Sequence, residues 1–288
     1  MSPRPSSSRP RVAPSARLSL ITLLTDFGSA DYFVAAMKGV ILSINPQAQF
    51  VDITHEIPPQ DINAAAFNLL AAYGSFAADT IHLAVVDPGV GSSRRPIIVM
   101  AGNQLFVGPD NGIFSYVIDR DTSARSFQLT HLTNTKYFRQ PISNTFHGRD
   151  IFAPAAAALS LGVAPEELGE EIEDPVRLPP LAAERPPDGG LRGRIIHIDR
   201  FGNCVTNLTP HDLPPRMIEQ GVRLTIKGKV IREFRQFFAE EDRKEEGRNK
   251  AKLFAVWGSA GFLEIASRNR SAARLLGAKR GDSVISSQ

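Results

Sequence analysis

A single cysteine, Cys204, stands in the 288 residues. No disulfide can form within the chain, and a reducing, cytoplasmic setting is expected. No apolar run approaches the roughly 18 residues that a membrane span requires, so the chain reads as soluble with no membrane partner. An excess of charge of either sign is missing too, with 33 Lys+Arg against 30 Asp+Glu. Four of those arginines, Arg4, Arg9, Arg11 and Arg17, lie in the first 18 residues with no acid among them, and setting them aside takes the net charge from +3 to −1. The basic balance is thus a property of the tail, and no Lys/Arg cluster with interleaved aromatics in the rest calls for nucleic acid. Neither G-x-G-x-x-G nor a Walker lysine loop occurs. Asp26-Phe27-Gly28 spells the kinase magnesium triplet, but without the loops that accompany it the match carries no weight.

What is present is enough apolar residue, 42%, to bury a sizeable core in one large or two moderate domains. Residues 1–18, rich in Ser, Pro and Arg, form an expected disordered tail. A buried-strand pattern at 21–24 and strand patterns at 49–53 and 80–86 alternate with helical periodicity from Phe33 to Ile44 and from Asp61 to Tyr73. The rhythm predicts a layered α/β domain over 19–173 with a largely parallel sheet. Asp31 is placed to cap the first of these helices. Short strands at 97–101 and 104–107, joined by Gly102-Asn103, read as a hairpin. A further helix is expected from Asp150 to Leu161, with Pro154 tolerated in its first turn.

Five prolines between 174 and 190 mark a linker. Beyond it, over 191–288, short β-like pieces at 193–198, 204–207, 222–226, 253–257, 262–266 and 282–285, punctuated by Gly, Pro and Asn, predict a small, mainly β domain. The mixed-charge run Arg232 to Lys252 reads as a solvated loop or short helix.

In an open α/β sheet the ligand contacts gather just past the strand ends. Asp26 closes the first strand and Asp87 the third, while His147 precedes a helix. A carboxylate at Asp26 can accept hydrogen bonds from both hydroxyls of a vicinal diol, although an Asp there can equally cap the next turn. Asp87 and Arg94, seven apart across Pro88-Gly89-Val90-Gly91, are within reach of a charge-assisted pair. With His147 they make a carboxylate, a permanent cation and a titratable imidazole, a set that can bind one water and strip its proton. The spacing of Asp52, His55 and Glu56 is unspecific for a metal, and a cap at the end of the second strand is the better reading.

Six ordered blocks are similar to one known family: Leu24-Thr25-Asp26-Phe27-Gly28-Ser29-Ala30-Asp31; Val86-Asp87-Pro88-Gly89-Val90-Gly91 with Arg94-Arg95; Gly108-Pro109-Asp110-Asn111-Gly112; Thr145-Phe146-His147-Gly148-Arg149-Asp150; Ile198-Asp199-Arg200-Phe201-Gly202-Asn203; and Gly258-Ser259-Ala260-Gly261-Phe262-Leu263-Glu264-Ile265-Ala266. They resemble the S-adenosylmethionine hydrolases (adenosine-forming), also called S-adenosylmethionine hydroxide adenosyltransferases, relatives of fluorinase and chlorinase. The resemblance runs from about Ile21 to Ile285. It implies an α/β N-terminal domain, a small β-barrel-like C-terminal domain, and a homotrimer that binds S-adenosylmethionine between subunits. It implies no metal and no redox cofactor. By motif position Asp87, Arg94 and His147 form the water-activating triad and Asp26 holds the ribose hydroxyls. Asp31, Asp199 and Ser259 fall near the methionine end, Phe201 and Asn203 near the adenine, and Phe146 in the substrate site. The halogenating relatives carry Tyr at the positions of Asp87 and His147, Ser at Gly148 and Arg at Ala260. The implied reaction is hydrolysis of S-adenosylmethionine to adenosine and methionine. The alternatives are halide-dependent adenosyl transfer and a non-catalytic binding module.

Overall fold

The computed structural model describes residues 20–120, 127–187, 190–238 and 252–287. The basic tail and most of the mixed-charge run lie outside them. Among the described residues no helix is long and apolar enough to cross a membrane. The chain divides into two compact units: the described residues of Met1–Asp61, Ser75–Ile113 and Asp121–Val176, and those of Ile62–Gly74, Phe114–Arg120 and Arg177–Gln288.

The first unit is built on a seven-stranded sheet of β1 (Leu20–Thr25), β2 (Gln49–Thr54), β3 (Ile81–Val85), β4 (Pro96–Ala101), β5 (Gln104–Pro109), β6 (Gln128–Leu132) and β7 (Gly169–Glu171). Its order is β2-β1-β3-β5-β4-β6-β7. The β2, β1, β3 and β5 strands run parallel, as expected, and the β4, β6 and β7 side is antiparallel. Largely apolar sequence suits the inner strands: all of Ile81–Val85, His82 included, is buried, as in a strand covered on both faces. The predicted β4–β5 hairpin turns on Gly102 and Asn103, both left-handed at φ 58° and 60°, the geometry of a type I′ turn. Helices α1 (Phe33–Ile44) and α4 (Ala153–Ser160) pack on each other. Met37 and Ile41 enter the same apolar core as Leu23, Leu83 and Phe152.

Two expectations are corrected. Asp31 does not cap α1: Tyr32 holds that position and no side chain caps it. The helix after His147 does not run regularly from Asp150, because Gly148–Phe152 forms a π turn before α4 begins.

The second unit contains α2 (Ile62–Tyr73), α3 (Ser115–Arg120), α6 (Pro215–Glu219), α7 (Ala272–Leu276) and an eight-stranded sheet; α5 (Pro165–Leu168) belongs to the first unit. The strands are β8 (Leu191–Ile198), β9 (Cys204–Thr206), β10 (Arg223–Ile226), β11 (Lys229–Ile231), β12 (Phe234–Arg235), β13 (Leu253–Trp257), β14 (Leu263–Ser267) and β15 (Ser283–Ser287). Their order is β11-β10-β15-β8-β9-β14-β13-β12. The sheet curls into a half-barrel, bringing β11 against β13. All pairings are antiparallel except β12 with β13. Cys204 lies at zero exposure in this core, and burial pushes its thiol up to about 11, so it packs as a small apolar side chain. The Pro-rich segment is tied down by Asn207 Nδ2 donating to Ala182 O at 2.9 Å and by the Glu184–Arg192 bridge.

In the first unit's sheet His82 is fully buried. Thr22 Oγ1 lies 2.7 Å from its Nδ1, and its Nε2 lies 3.2 Å from Gln104 Oε1. The Gln104 amide nitrogen donates to Phe76 O and Ala77 O, which leaves its oxygen facing the ring and makes Nε2 the protonated nitrogen. Burial pulls the imidazole from 6.5 to about 4. A depressed histidine pKa gives stability that is present above about pH 6.5 and is lost as pH falls through 4, worth about 3 kcal/mol in all. Urea unfolding of wild type and His82→Gln between pH 7.5 and 4 is expected to show this extra acid loss in the wild type alone. Parallel pH profiles for the two proteins would refute it.

Candidate active site

Parallel register puts Thr25 of β1 beside Val85 of β3, so Asp26 and Asp87 leave the sheet at the same end of adjacent strands. The chain moves outward from β1 to β2 on one side and to β3 on the other. A reversal of strand order of this kind opens the crevice in which α/β sheets bind ligands. Asp26 is not a local turn cap: its Oδ2 accepts from the backbone N–H of Gln60 at 2.8 Å, across 34 residues. Gln60 is itself left-handed at φ 66°, a strain of order 1–3 kcal/mol held by its surroundings. Asp31 is exposed at the same end of the fold.

Asp87, Arg94 and His147 are brought together. Arg94 Nε donates to Asp87 Oδ1 at 2.9 Å and Oδ2 at 3.0 Å, and Nη2 donates to Oδ2 at 2.5 Å. The side chains of Arg94 and Asp87 are only 9% and 6% exposed, so this is not a solvated surface pair, and removing one partner would strand the other. Arg94 Nη2 also lies 2.6 Å from His147 Nδ1. A guanidinium can only donate, so Nδ1 accepts, and the imidazole is neutral with its proton on Nε2. Burial, and then the positive charge of Arg94, lower the pKa of His147, against the opposing pull of Asp87 and Asp150. The arginine also lies over the Phe152 ring, 5.1 Å from its centre.

Two backbone features set these side chains. Gly91 is left-handed at φ 76°, and a Cβ there would stand 2.3 Å from Asn144 O. Only glycine lets the turn bearing Arg94 approach the segment bearing His147 this closely. Asp150, wholly buried, accepts from Arg149 Nε and Nη2, Arg139 Nη1 and Ser143 N. Burial raises its carboxyl, but these bonds outweigh burial and hold it below the usual range. It anchors both ends of the loop that carries His147. The sequence reading missed Asp150 and Gln60. Asp150 stands in a quoted motif, whereas a backbone donor such as Gln60 leaves no residue-type signal.

Phe146 is 6% exposed, edge-on to Phe27 and Phe33 at 6.0 and 5.1 Å, with Arg149 over its ring. Asp52, weighed as a metal ligand, accepts from Lys38 Nζ at 2.7 Å, and Thr54 Oγ1 caps the turn at Glu56 N.

In the second unit Asp199, Phe201, Asn203 and Ser259 line one open cavity of about 1250 Å³. Asp199 closes a tight turn, accepting from Asn203 N at 2.8 Å and Asn203 Nδ2 at 2.9 Å. The turn lifts Phe201 to 79% exposure, a large apolar ring offered to solvent. Glu264 lines the same cavity, and its carboxyl is raised by burial and by the charge of Asp199.

Comparison with known proteins matches residues 21–169 to the SAM hydroxide adenosyltransferase N-terminal domain and residues 193–285 to the C-terminal domain of the same name. The chain belongs to the SAM hydroxide adenosyltransferase family. Family members include a protein of Thermus thermophilus named (R)-S-adenosyl-L-methionine hydrolase, 38% identical over 91% of this chain and 96% of its own. One of the same name from Salinispora arenicola is 36% identical over 92% and 96%. A fluorinase of Actinoplanes is more distant, 26% identical over 67% of this chain and 73% of its own. A crystal structure of an uncharacterized conserved protein from Thermotoga maritima superposes with a TM-score of 0.81 at 33% identity, covering 93% of this chain and all of that one.

The Gly91 contact predicts that Gly91→Ala destabilises the protein by about 1–3 kcal/mol, since it adds both strain at positive φ and a clash. Gly39, inside α1 with open space around it, is the control: Gly39→Ala should be neutral or stabilising by up to about 1 kcal/mol. Chemical denaturation of both variants checks this, and equal stability would remove Gly91 from the account.

Proposed function

We propose that the chain hydrolyses S-adenosylmethionine to adenosine and methionine by attack of water on C5′. The observation that carries this reading is the Arg94 guanidinium, bonded at once to Asp87 and to His147 Nδ1. The names of relatives at 38% and 36% identity over nine-tenths of the chain support it.

The sulfonium sulfur of the substrate is already cationic, so methionine leaves as a neutral thioether and neither a general acid nor a metal or redox cofactor is required. The enzyme must instead align a water and take its proton. His147, with Nδ1 occupied by Arg94, offers Nε2–H as a donor that orients the water oxygen. Asp87 Oδ1 keeps a lone pair beyond its bond from Arg94 Nε, and Asp87 accepts the proton. The water oxygen bonds C5′ as the C5′–S pair returns to sulfur, and Arg94 stabilises the developing hydroxide.

Asp26 would hold the ribose diol, and Asp31 the methionine end. Phe146 would back the site from within its aromatic cluster. In the second unit's cavity Asp199 and Ser259 would serve the methionine end, and Phe201 and Asn203 the adenine. The family resemblance supports these roles, together with a homotrimer whose subunits complete one another's sites. A single buried cysteine suits a cytoplasmic enzyme.

Incubation with S-adenosylmethionine in oxygen-18 water should give labelled adenosine. A halogenated product in chloride, or ligand bound but unchanged, would overturn the proposal. Asp87→Asn should lower kcat by about 10²–10⁴-fold with KM little changed; a rate within a few-fold of wild type would remove Asp87 from the mechanism. The neutral form of His147 persists below pH 6.5 because its pKa is lowered, so the acid limb of kcat should fall below that pH. A limb at or above it would contradict the lowered pKa of His147.

A further inference from the structure

The turn bearing Asp87 and Arg94 spans an unusual gap. It connects β3 to β4, yet β5 lies between them in the sheet. The connection from Val86 to Arg95 must therefore cross the end of β5, and the two residues that follow that strand, Asp110 and Asn111, grip its two feet. At one foot Asn111 Nδ2 donates to Val86 O at 2.8 Å. At the other, Asp110 Oδ2 accepts from Arg95 Nε at 2.9 Å and Nη2 at 2.6 Å, and Asp110 N donates to Arg95 O at 2.9 Å. Val86 immediately precedes Asp87, and Arg95 immediately follows Arg94.

The grip is itself fixed. Asn111 Oδ1 accepts from Ile113 N at 3.2 Å. Asp110 is 5% exposed, and its second oxygen accepts from Val176 N at 2.8 Å. Between the feet the turn holds itself by short-range bonds, Val90 N to Asp87 O at 3.2 Å and Ser92 N to Gly89 O at 3.1 Å. These bonds shape the turn but do not tie it to the sheet.

We infer that Asn111 and the Asp110–Arg95 pair are positioning residues, which hold Asp87 and Arg94 at the separation that lets Arg94 reach His147. They touch no reacting atom. Their effect passes through the backbone at Val86 and Arg95, and a displacement of about 1 Å at a catalytic group is enough to cost roughly 100-fold in rate. The inference rests on the hydrolytic reading for its kinetic consequence, but not for its geometric one.

Asn111→Asp removes the donor to Val86 and keeps the acceptor for Ile113. It should lower kcat roughly 10- to 100-fold with KM within about threefold. In nitrogen-15 spectra, the His147 signals should move from a fixed Nε2–H tautomer toward an exchanging ring. Arg95→Lys keeps the charge but loses the fork on Asp110 and should move both readouts in the same direction, so it decides the matter if Asn111→Asp does not fold. Asn45→Ala is the control. It removes a buried bond to Ser160 Oγ, 2.9 Å long, at the opposite end of the sheet, and should lower the melting temperature while leaving kcat and the imidazole signals unchanged. If Asn111→Asp and Arg95→Lys also lower only the melting temperature, the inference is overturned. If the wild type turns nothing over, the hydrolytic reading fails, while the His147 spectra still decide whether the clamp sets the triad.

Discussion

One guanidinium, placed almost out of water, is the constraint on which the first unit's site depends. A buried arginine needs an opposite charge and partners for its N–H groups, or its desolvation is uncompensated. Asp87 supplies the charge and two acceptor oxygens, and His147 Nδ1 supplies a third acceptor. The same bond that satisfies Arg94 fixes the tautomer of the histidine. Protonation of His147 would set two cations against each other, so structural satisfaction and chemical state are one requirement.

Three pieces of chain far apart in sequence must meet for this to happen. The β1 and β3 ends define the crevice, the turn after β3 carries the carboxylate and cation, and the loop pinned by Asp150 carries the imidazole. Where turn and loop pass at Gly91, the carbonyl of Asn144 stands where a Cβ would be. Side chains can adjust to small errors, but two main chains in contact with no Cβ between them cannot. Precision at the site is thus built into the peptide frame.

Strands β1 and β3 were legible in the sequence because, apart from Thr22, Thr25 and His82, they are apolar along their length, as strands covered on both faces are. Strands β7, β11 and β12, two or three residues long, are too short to show any period, and pairing with a neighbour is what makes them strands. The cap expected at Asp31 failed because Tyr32, already in helical φ/ψ at −74° and −7°, takes the cap position one residue later. Within the site, Asp87, Arg94 and His147 were visible as chemical types at suggestive places. The roles of Gln60, Asp150 and Asn111 were not, because a backbone donor or a grip on a distant carbonyl carries no pattern in a linear chain.

By itself the sequence determined the inventory: an α/β layer with a largely parallel sheet, a smaller β region after a proline-rich stretch, and three groups able to manage a proton. These follow from periodicity, burial preference and residue chemistry, which are local properties. Only the tertiary structure decided that Arg94 donates to both of the other two and that the histidine is neutral with its proton on Nε2. The strand order that carries the Asp87 turn across the end of β5 was also a tertiary outcome. Each of these depends on a distance between residues remote in sequence, and such distances exist only once the sheet has set the order of its strands.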